Sequence, residues 1–322
     1  MKPIPKQVKQ KLLQGLDFIA RGKVCELYSL PDHPGLLLKV VSDRASVHDI
    51  ILPFLVPHKG EVLNFIDHFW RQLFPNIAHD VVAVGSDIDE YLPKNLRGNL
   101  VRHRRSRIIK SCEAVSAEII YRHLLTGTGL KKYQQYDGVV CGQQFPAGLK
   151  EWDELEPSAF TPTTKDPDGH DEHMDVEVFA SRFGMEPMFL TSPVFKQGKD
   201  IAAKQGVIIA DTKFEVGRDE FGRVTLIDEV LTPDSSRYLK PEDVEEARRT
   251  GKRPPSFDKQ PIRDYVQKYL GVGPETPLTE EVVDKVHSHQ YPRKLIEQTS
   301  ERYVELLRLL TGLTPDQYAA TL

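Results

Sequence analysis

The chain has 322 residues, more than the roughly 250–300 residues at which a single hydrophobic core usually stops growing. Its 43 basic and 47 acidic residues give a net charge of −4, so it lacks the broad positive field that holds a nucleic-acid backbone. No apolar stretch approaches the roughly 20 residues of a membrane span, and the N-terminus has no apolar signal-peptide core. These features exclude nucleic-acid and membrane partners and predict a cytoplasmic protein with two lobes.

Two further features narrow the chemistry. The three cysteines, Cys25, Cys112 and Cys141, are odd in number and lack CxxC spacing, so they predict reduced thiols and neither a disulfide framework nor a zinc site. The run from Arg102 to Arg107 is locally basic, and we interpret it as a candidate site for a phosphorylated small molecule.

The first part of the chain predicts an antiparallel sheet and a helix. Short runs rich in leucine and β-branched residues, separated by Pro and Gly, predict strands between residues 18 and 55. Apolar residues then recur at intervals of three and four over residues 61–73, which predicts a helix. Two strands are predicted over residues 106–110 and 117–121. The crossover between the lobes is predicted between residues 110 and 116.

The second part begins with a polar segment. Residues 151–177 have few apolar positions and predict a long surface loop, a kind of segment that is often functional. A helix is predicted around residues 195–205, followed by a hairpin over residues 207–231. The charged stretch 240–255 lacks an apolar stripe and predicts a linker or surface segment. Apolar spacing predicts C-terminal helices over residues 262–269, 280–287 and 296–310.

The predicted hairpin carries a face of alternating charges. Asp211, Lys213 and Glu215 alternate with apolar or neutral residues, so the three charged side chains share one face of the strand. Charged residues generally prefer water, so a solvated face of an ordinary amphipathic hairpin is the alternative to a functional site.

The register of this hairpin decides which carboxylates meet. Pairing of Arg218 with Arg223 would set Asp228 across from Lys213 and diagonal to Glu215. Such neighbours are about 4.5–8 Å apart, which would let the two carboxylates share one hard cation.

Two short segments could contact phosphate. Directly after the hairpin, Ser235, Ser236 and Arg237 can offer hydroxyl, amide and guanidinium donors. Gly22 and Lys23 lie between two strand-like runs, where a glycine lets backbone amides approach a triphosphate and a lysine neutralises it. A Gly-Lys pair in a plain hairpin is the commoner occurrence.

Ten blocks of the sequence resemble the SAICAR synthetase family, also called phosphoribosylaminoimidazole-succinocarboxamide synthase, in order and approximate spacing: GKVCELY, SDRASVHD, KGEVLN, RSRIIK, EIIYRHLLTGTG, GVVCG, FTPTTKDPDGHDE, ADTKFEVG, IDEVLTPDSSR and SFDKQ. The resemblance implies an α+β, two-lobed fold. Its N-terminal lobe, residues 1–112, is an antiparallel sheet plus a helix. Its larger α/β ATP-binding lobe, residues 113–322, ends in helices.

The resemblance also implies an activity. Members are ATP-dependent carbon–nitrogen ligases of purine biosynthesis that condense L-aspartate with carboxyaminoimidazole ribonucleotide (CAIR), with ATP and Mg²⁺ as cofactors. Because a carboxylate is a poor electrophile, phosphorylation by ATP would first convert it into an acyl phosphate that an amine can attack. CAIR and L-aspartate would be the small-molecule partners, and the sequence leaves the oligomeric state open.

Roles for individual residues follow from the resemblance alone. Residues implied in the chemistry are Lys23, Asp211 and Lys213. Residues implied in nucleotide binding are Gly22, Lys23, Lys110, Glu215 and Asp228, of which Glu215 and Asp228 would be the magnesium carboxylates. Residues implied in substrate binding are Asp43, Arg44, Ser46, Arg122, Thr128, Lys165, His170, Asp171, Asp234, Ser236 and Arg237. Closure of the loop over residues 165–172 would exclude water from the intermediate.

The chain departs from the family pattern at Cys25, His48, His58 and His123. A histidine in a pocket wall adds volume and a titratable group, so one alternative is a diverged member that uses a different carboxylate or amine. Tolerated drift at the pocket rim explains the same residues without a change of substrate. A nucleotide-binding pseudoenzyme is a third hypothesis, against which the retained lysine, carboxylate and arginine set argues.

Overall fold

The computed structural model describes residues 5, 8, 13–165 and 172–322. Over these residues the protein is α+β, and the pairs formed between its named strands are antiparallel. His170 and Asp171, two of the predicted substrate residues, lie outside the described residues.

The elements are numbered in chain order. The strands of the described residues are β1 (Asp17–Arg21), β2 (Cys25–Ser29), β3 (Leu36–Val41), β4 (Arg44–Val47), β5 (Ile50–Leu55), β6 (Val81–Val84), β7 (Ser106–Lys110), β8 (Glu113–Ala114), β9 (Ala117–Leu124), β10 (Val139–Val140), β11 (Gln143–Gln144), β12 (Glu154–Phe160), β13 (Thr163–Thr164), β14 (Ile208–Arg218), β15 (Val224–Ile227) and β16 (Ser236–Leu239). The helices of the same residues are α1 (Lys59–Leu73), α2 (Leu100–Arg105), α3 (Gly127–Gln135), α4 (Val176–Phe183), α5 (Glu186–Lys204), α6 (Pro241–Thr250), α7 (Gln260–Leu270), α8 (Glu280–Ser288), α9 (Arg293–Thr311) and α10 (Pro315–Ala319).

The chain divides into two compact units. The first unit comprises Met1–His68, Val81–Ser111 and Phe257–Leu322, and the second comprises Phe69–Asp80 and Cys112–Ser256. These units differ from the continuous lobes 1–112 and 113–322 of the sequence analysis, chiefly because the C-terminal helices belong to the first unit.

The packing of α7 and α8 explains this difference. Ala45 and Val47 of β4 form a buried cluster with Ile262 and Val266 of α7 and Val286 of α8. Burial of one such side chain stabilises a fold by about 1.5–3 kcal/mol, so an apolar stripe on a helix fixes where the helix packs. The spacing of apolar residues in the sequence reveals the stripe, but it does not reveal the surface that the stripe covers.

The main sheet of the first unit has the strand order β1-β2-β3-β7-β6. Tyr28, Leu38 and Ile108 project from its strands into one apolar core, which Ile88 and Leu92 also enter. Strand β7 and helix α1 coincide closely with the strand at 106–110 and the helix at 61–73 that the sequence predicts.

The second unit is built around β14. Its sheet has the order β12-β9-β14-β15, and β8 and β16 also pair with β14 while β13 pairs with β9. One face of this sheet is apolar: the Tyr121 and Phe195 rings stack with centroids 5.1 Å apart, and Phe214 of β14 is fully buried. The opposite face is therefore free to carry polar side chains.

Two predicted surface segments contain regular structure, and these predictions were wrong. The segment 151–177 includes β12, whose Leu155, Ala159 and Phe160 are buried and which pairs with β9. The segment 240–255 includes α6, whose Val244 and Ala247 are 1% and 2% exposed. In α6 two apolar residues spaced three apart are enough to anchor a helix whose remaining face is charged.

Within the described residues, no helix combines the length and the apolar character needed to cross a membrane.

Candidate active site

The polar face of β14 holds a carboxylate between two guanidinium groups. Asp211 of β14 pairs in register with Arg122 of β9 on one side and with Arg237 of β16 on the other. Its Oδ2 accepts hydrogen bonds from Arg122 Nη1 at 3.0 Å and from Arg237 Nη2 at 3.2 Å. Two cations facing one carboxylate leave a net positive charge at this position, which suits an anionic ligand.

Hydroxyl groups from neighbouring segments orient the two arginines. Arg122 donates through Nη2 to Thr128 Oγ1 at 2.9 Å and through Nε to Thr161 Oγ1 at 3.0 Å. Arg237 Nη1 lies 3.4 Å from Thr126 Oγ1. Charge-assisted hydrogen bonds that fix a guanidinium in this way pre-organise it for bidentate binding of phosphate or carboxylate.

The N-terminus of α3 contributes to the same cluster. A Cβ atom on Gly129 would lie 2.8 Å from Arg122 Cδ, so only glycine lets the first turn of α3 approach this arginine. A helix N-terminus carries partial positive charge and free backbone amides, and both favour an anion. The predicted residues Arg122, Thr128 and Arg237 are therefore brought together in an arrangement fit for a phosphate group.

Lys213 lies one step further along the polar face, among carboxylates. Its Nζ lies 2.7 Å from Glu118 Oε1 and 3.7 Å from Glu215 Oε1, and Glu215 Oε2 accepts from Lys165 Nζ. Burial alone would lower the pKa of Lys213, but Glu118, Glu215 and Asp228 outweigh it and raise the pKa above its ordinary value. The surrounding carboxylates therefore favour the ammonium form of Lys213.

The hairpin register differs by one residue from the predicted one. Arg218 pairs with Val224 and not with Arg223, because Asp219 N bonds Arg223 O at 3.0 Å and closes a three-residue loop. Gly222 supplies the positive φ of 74° that such a loop needs. The predicted pairing of Arg218 with Arg223 would leave one residue fewer between the two strands.

Asp228 directly follows Ile227, the last residue of β15, which pairs with Glu215. Asp228 has a φ of 61°, so the strand has ended and strict alternation no longer fixes the direction of the side chain. Its charge is one of those that raise the pKa of Lys213.

The donor set fits magnesium held together with a nucleotide. No group of three or more His, Cys, Asp or Glu side chains is arranged to hold a metal in the part of the chain that the structure describes. Mg²⁺ is usually held by one or two carboxylates plus substrate phosphates and water, and rarely by an all-protein cage. Glu215 and Asp228 fit that kind of site, while a zinc site of protein ligands would need more donors.

In the first unit, Gly22 and Lys23 lie at the exposed turn between β1 and β2, and Lys23 Nζ forms an ion pair with Asp49. Both side chains of this pair are nearly half exposed, so the pair is weak and a ligand could replace it. Lys110 is exposed at the end of β7.

Three residues that the resemblance assigns to substrate are buried in the first unit. Arg44 is 0% exposed, Ser46 6% and Asp43 8%. Asp43 accepts from Gly60 N at 2.8 Å and from Arg105 Nη2 at 2.7 Å. Asp43 and Arg44 hydrogen-bond to backbone groups of the same unit, and the substrate roles of all three residues stay predictions.

Ser236 also lies away from the polar face. Its hydroxyl is 2.7 Å from Thr212 Oγ1, and the side chain is 6% exposed. Since neighbouring residues of a strand point to opposite faces, Ser236 and Arg237 cannot both face Asp211. Asp234 is half-buried in the preceding turn, where its backbone N–H lies 3.3 Å from Thr232 Oγ1.

The basic run has internal partners, so the prediction that it binds a phosphorylated ligand is not supported. Arg104 pairs with Glu61 and Asp316, Arg105 pairs with Asp43, and Arg107 pairs with Asp67. Arg102 donates to the Leu96 carbonyl.

Of the histidine departures, only His123 is in the same unit as β14, and it lies off the polar face. His123 follows Arg122 in β9 and so points to the opposite face, where burial and then Lys199 lower its pKa. His58, in the first unit, is 56% exposed and its Nδ1 lies 2.5 Å from Glu61 Oε1. His48, also in the first unit, has a pKa lowered by burial and then by Arg263.

Sequence reasoning missed Glu118, Thr126 and Thr161. Glu118 and Arg122 are four residues apart in β9, a spacing that places both on one face. That signal is visible in the sequence, but its meaning depends on the pairing of β9 with β14, which is not.

Comparisons with known proteins identify the family of the chain. The family model described as SAICAR synthetase matches residues 18–277. The phosphoribosylaminoimidazole-succinocarboxamide synthase of Maridesulfovibrio salexigens is 38% identical over 314 residues, covering 95% of this chain and 97% of that protein. The enzyme of the same name from Stenotrophomonas maltophilia is 36% identical over 329 residues, covering 98% and 100%. The solved SAICAR synthase from Saccharomyces cerevisiae, complexed with SAICAR, has a TM-score of 0.77 and 31% identity, covering 95% of this chain and 99% of that one. The chain belongs to the SAICAR synthetase family.

Proposed function

We propose that this chain is an ATP-dependent ligase that condenses L-aspartate with CAIR and forms SAICAR in purine biosynthesis. The observation that carries the proposal is the 38% identity, over 95% of the chain, to a phosphoribosylaminoimidazole-succinocarboxamide synthase. The polar face of β14 supports it, because it places an anion cradle beside a cation surrounded by carboxylates. The proposal includes a cytoplasmic location.

The reaction proceeds in two steps, phosphoryl transfer and then attack by the amine. A CAIR carboxylate oxygen bonds to the γ-phosphorus of ATP, the bond between that phosphorus and the β,γ-bridging oxygen breaks, and ADP leaves. The amine of L-aspartate then attacks the acyl carbon, inorganic phosphate leaves, and the nitrogen loses a proton. Activation is needed because oxide is too poor a leaving group for direct amide formation.

Arg122 and Arg237 bind the phosphate of the ribonucleotide, together with Thr128 and the N-terminal amides of α3. Hydrogen bonds to charged groups contribute about 1.5–3 kcal/mol each, so this cradle accounts for substantial substrate affinity. Asp211 lies between the two guanidinium groups and holds their orientation. The binding energy fixes the reacting carboxylate in place.

Lys213 stabilises the negative charge that develops on the transferring phosphoryl group. Its pKa is raised by the surrounding carboxylates, so its charge is in place before the reaction and needs no reorganisation. Glu118 and Glu215 hold the ammonium group from two sides.

Glu215 and Asp228 would hold Mg²⁺, which would neutralise charge on the ATP phosphates. Lys165 Nζ donates a hydrogen bond to Glu215 Oε2. Lys165 is the first residue of the loop that the resemblance assigns to substrate, and we propose that it moves from Glu215 to a substrate anion. Gly22 and Lys23 contact the triphosphate, and Lys110 contributes to nucleotide binding.

An ADP-release assay tests the proposal. Purified protein is supplied with ATP, Mg²⁺, CAIR and L-aspartate, and each component is omitted in turn. Release that requires all four supports the proposed reaction. Release that persists with another carboxylate or amine, but not with CAIR and L-aspartate, would favour a diverged ligase. A folded protein that binds ATP without turnover of any such pair would favour a pseudoenzyme.

A further inference from the structure

In the turn between β1 and β2, Gly22–Cys25, all four backbone carbonyls accept hydrogen bonds from Arg44 or Ser42. Arg44 donates through Nε to the Lys23 carbonyl at 3.1 Å, and through Nη2 to the Gly22 and Cys25 carbonyls at 3.4 and 3.3 Å. The Val24 carbonyl accepts from Ser42 N at 2.7 Å and from Ser42 Oγ at 2.6 Å. One arginine and one serine therefore set the orientation of every peptide group in the turn.

The amide side of the same turn is left for a ligand. Gly22 N is used internally, since it donates to the Cys25 carbonyl at 2.9 Å. Within the described part of the chain, the backbone N–H groups of Lys23 and Val24 donate no hydrogen bond. Gly22 and Lys23 are exposed. Consecutive backbone amides with carbonyls turned away form a concave donor site for an anion.

Arg44 itself is inaccessible. It is 0% exposed, and its Nη1 lies 3.1 Å from Glu26 Oε1, which also accepts from Arg21 Nε at 2.7 Å. The Tyr28 hydroxyl donates to the other Glu26 oxygen at 2.7 Å. Two guanidinium groups face one carboxylate, so the cluster keeps a net positive charge beneath the turn.

We propose that Arg44 is a positioning residue for ATP: it holds the Gly22–Cys25 turn so that the Lys23 and Val24 amides face the nucleotide phosphates, and it never contacts a substrate. This inference rests on the proposed use of ATP. It replaces the substrate-binding role that the resemblance assigns to Arg44.

The test compares two buried arginines of the first unit. Arg107 is 2% exposed, and it pairs with Asp67 and donates to Asn64 Oδ1 at 3.0 Å, away from the turn. We expect Arg44→Met and Arg107→Met to lower the melting temperature by similar amounts. Only Arg44→Met should raise the Kd for a non-hydrolysable Mg²⁺–ATP analogue, by about tenfold or more, which corresponds to loss of one or two amide–phosphate bonds. The KM for CAIR should stay within about twofold in both variants.

Glu26 keeps its bonds to Arg21 and Tyr28 when Arg44 is removed, so the variant retains a paired carboxylate. If Arg44→Met does not fold, Ser42→Ala provides a milder variant, because it removes the Oγ bond to Val24 and leaves the amide bond. It should raise the analogue Kd about two- to threefold, and no change would contradict the proposal.

Two outcomes overturn the inference: an analogue Kd within twofold of wild type in Arg44→Met, or an equal rise of the Kd in Arg107→Met.

Hydrogen exchange of the Gly22 amide in the ligand-free protein gives a second measurement, and it should accelerate in Arg44→Met alone. Wild-type protein that binds the analogue but forms no SAICAR would contradict the proposed function and leave this inference standing. Wild-type protein that binds no analogue contradicts both.

Discussion

The two units each contain a cluster of charged residues, and the clusters are built on different plans. In the first unit Glu26 and Arg44 are 1% and 0% exposed, and their hydrogen bonds go to each other, to Arg21, to Tyr28 and to the backbone. In the second unit the Lys213 and Glu215 side chains are 37% and 14% exposed. We call these the closed cluster and the open cluster.

The two clusters differ in how easily a ligand can replace the internal partners of their charged groups. In the closed cluster the carboxylate of Glu26 is hydrogen-bonded by side chains of the same cluster. Breaking a buried pair by removing one member costs about 3–5 kcal/mol. The cluster is therefore committed to holding a backbone turn. In the open cluster Lys165 and Lys213 share Glu215, and both lysine side chains reach water, which screens the two ion pairs in part. A cation or phosphate can therefore displace such partners at little cost.

Glu215→Gln should have the largest effect on turnover. It removes a carboxylate that holds the metal while preserving the shape of the side chain, so we expect kcat to fall about 10²–10³-fold. The melting temperature should stay within a few degrees of wild type, because Lys213 keeps Glu118 as a partner. ADP release across a range of Mg²⁺ concentrations measures this. Glu220→Gln, at the exposed hairpin tip, is the matched control and should leave kcat unchanged.

A large loss of stability in Glu215→Gln, with little loss of turnover, would show that the open cluster is structural. The contrast between the two clusters would then fail.

Arg122→Met should raise the KM for CAIR by about 10–100-fold, which corresponds to one or two lost hydrogen bonds to a charged group. The Kd for the ATP analogue should change less than twofold, since the cradle of Asp211, Thr128 and Arg237 is assigned to the ribonucleotide. Steady-state kinetics with each substrate varied in turn separates the two. Arg182→Met, an exposed arginine of the same unit, is the control. Equal effects on both substrates would break the assignment of this cradle.

The charged face of β14 was predictable from the sequence, because alternation in a strand is a local property. Asp211, Lys213 and Glu215 lie on one face as the spacing predicts. The hairpin register was not predictable, because it depends on one residue of loop length between Asp219 and Arg223. The partner strand β9 comes from a distant part of the chain, so the sequence did not predict that Glu118 lies in the site.

Burial was the second limit of the sequence analysis. Family resemblance marks the segment that contains Asp43 and Arg44, but polar residues in such a segment can act by contact with a ligand or by support of a turn. Only the hydrogen bonds of Arg44 to the carbonyls of Gly22, Lys23 and Cys25 distinguish the two roles. The short apolar pair in α6 was missed because Val244 and Ala247 give only a narrow stripe.

Lys165→Met sharpens the comparison through metal affinity. The Lys165 ammonium competes with a divalent cation for Glu215 Oε2, so its removal should tighten Mn²⁺ binding in the absence of nucleotide, by about two- to fivefold. Electron paramagnetic resonance of free Mn²⁺ measures the change. Lys199→Met removes an ammonium that pairs with Glu156 instead, and it should leave Mn²⁺ affinity unaltered. Weaker Mn²⁺ binding in Lys165→Met would contradict the idea that the open cluster is held by displaceable partners.

The smallest expected effect concerns acid stability at the border of the open cluster. Burial, followed by the charges of Arg122 and Lys132, lowers the pKa of His173 to about 4. The unfolded chain, with a histidine pKa near 6.5, binds more protons than the folded chain between about pH 6.5 and 4, so stability falls as the pH is lowered through that range. Denaturant unfolding at pH 7 and pH 4.5 measures the loss. The free energy of unfolding should fall less in His173→Gln than in wild type, and the difference should be smaller than the full contribution of one histidine protonation. Identical losses would mean that His173 is free to protonate in the folded state, and that the positive charge of Arg122 is screened at the distance of this ring.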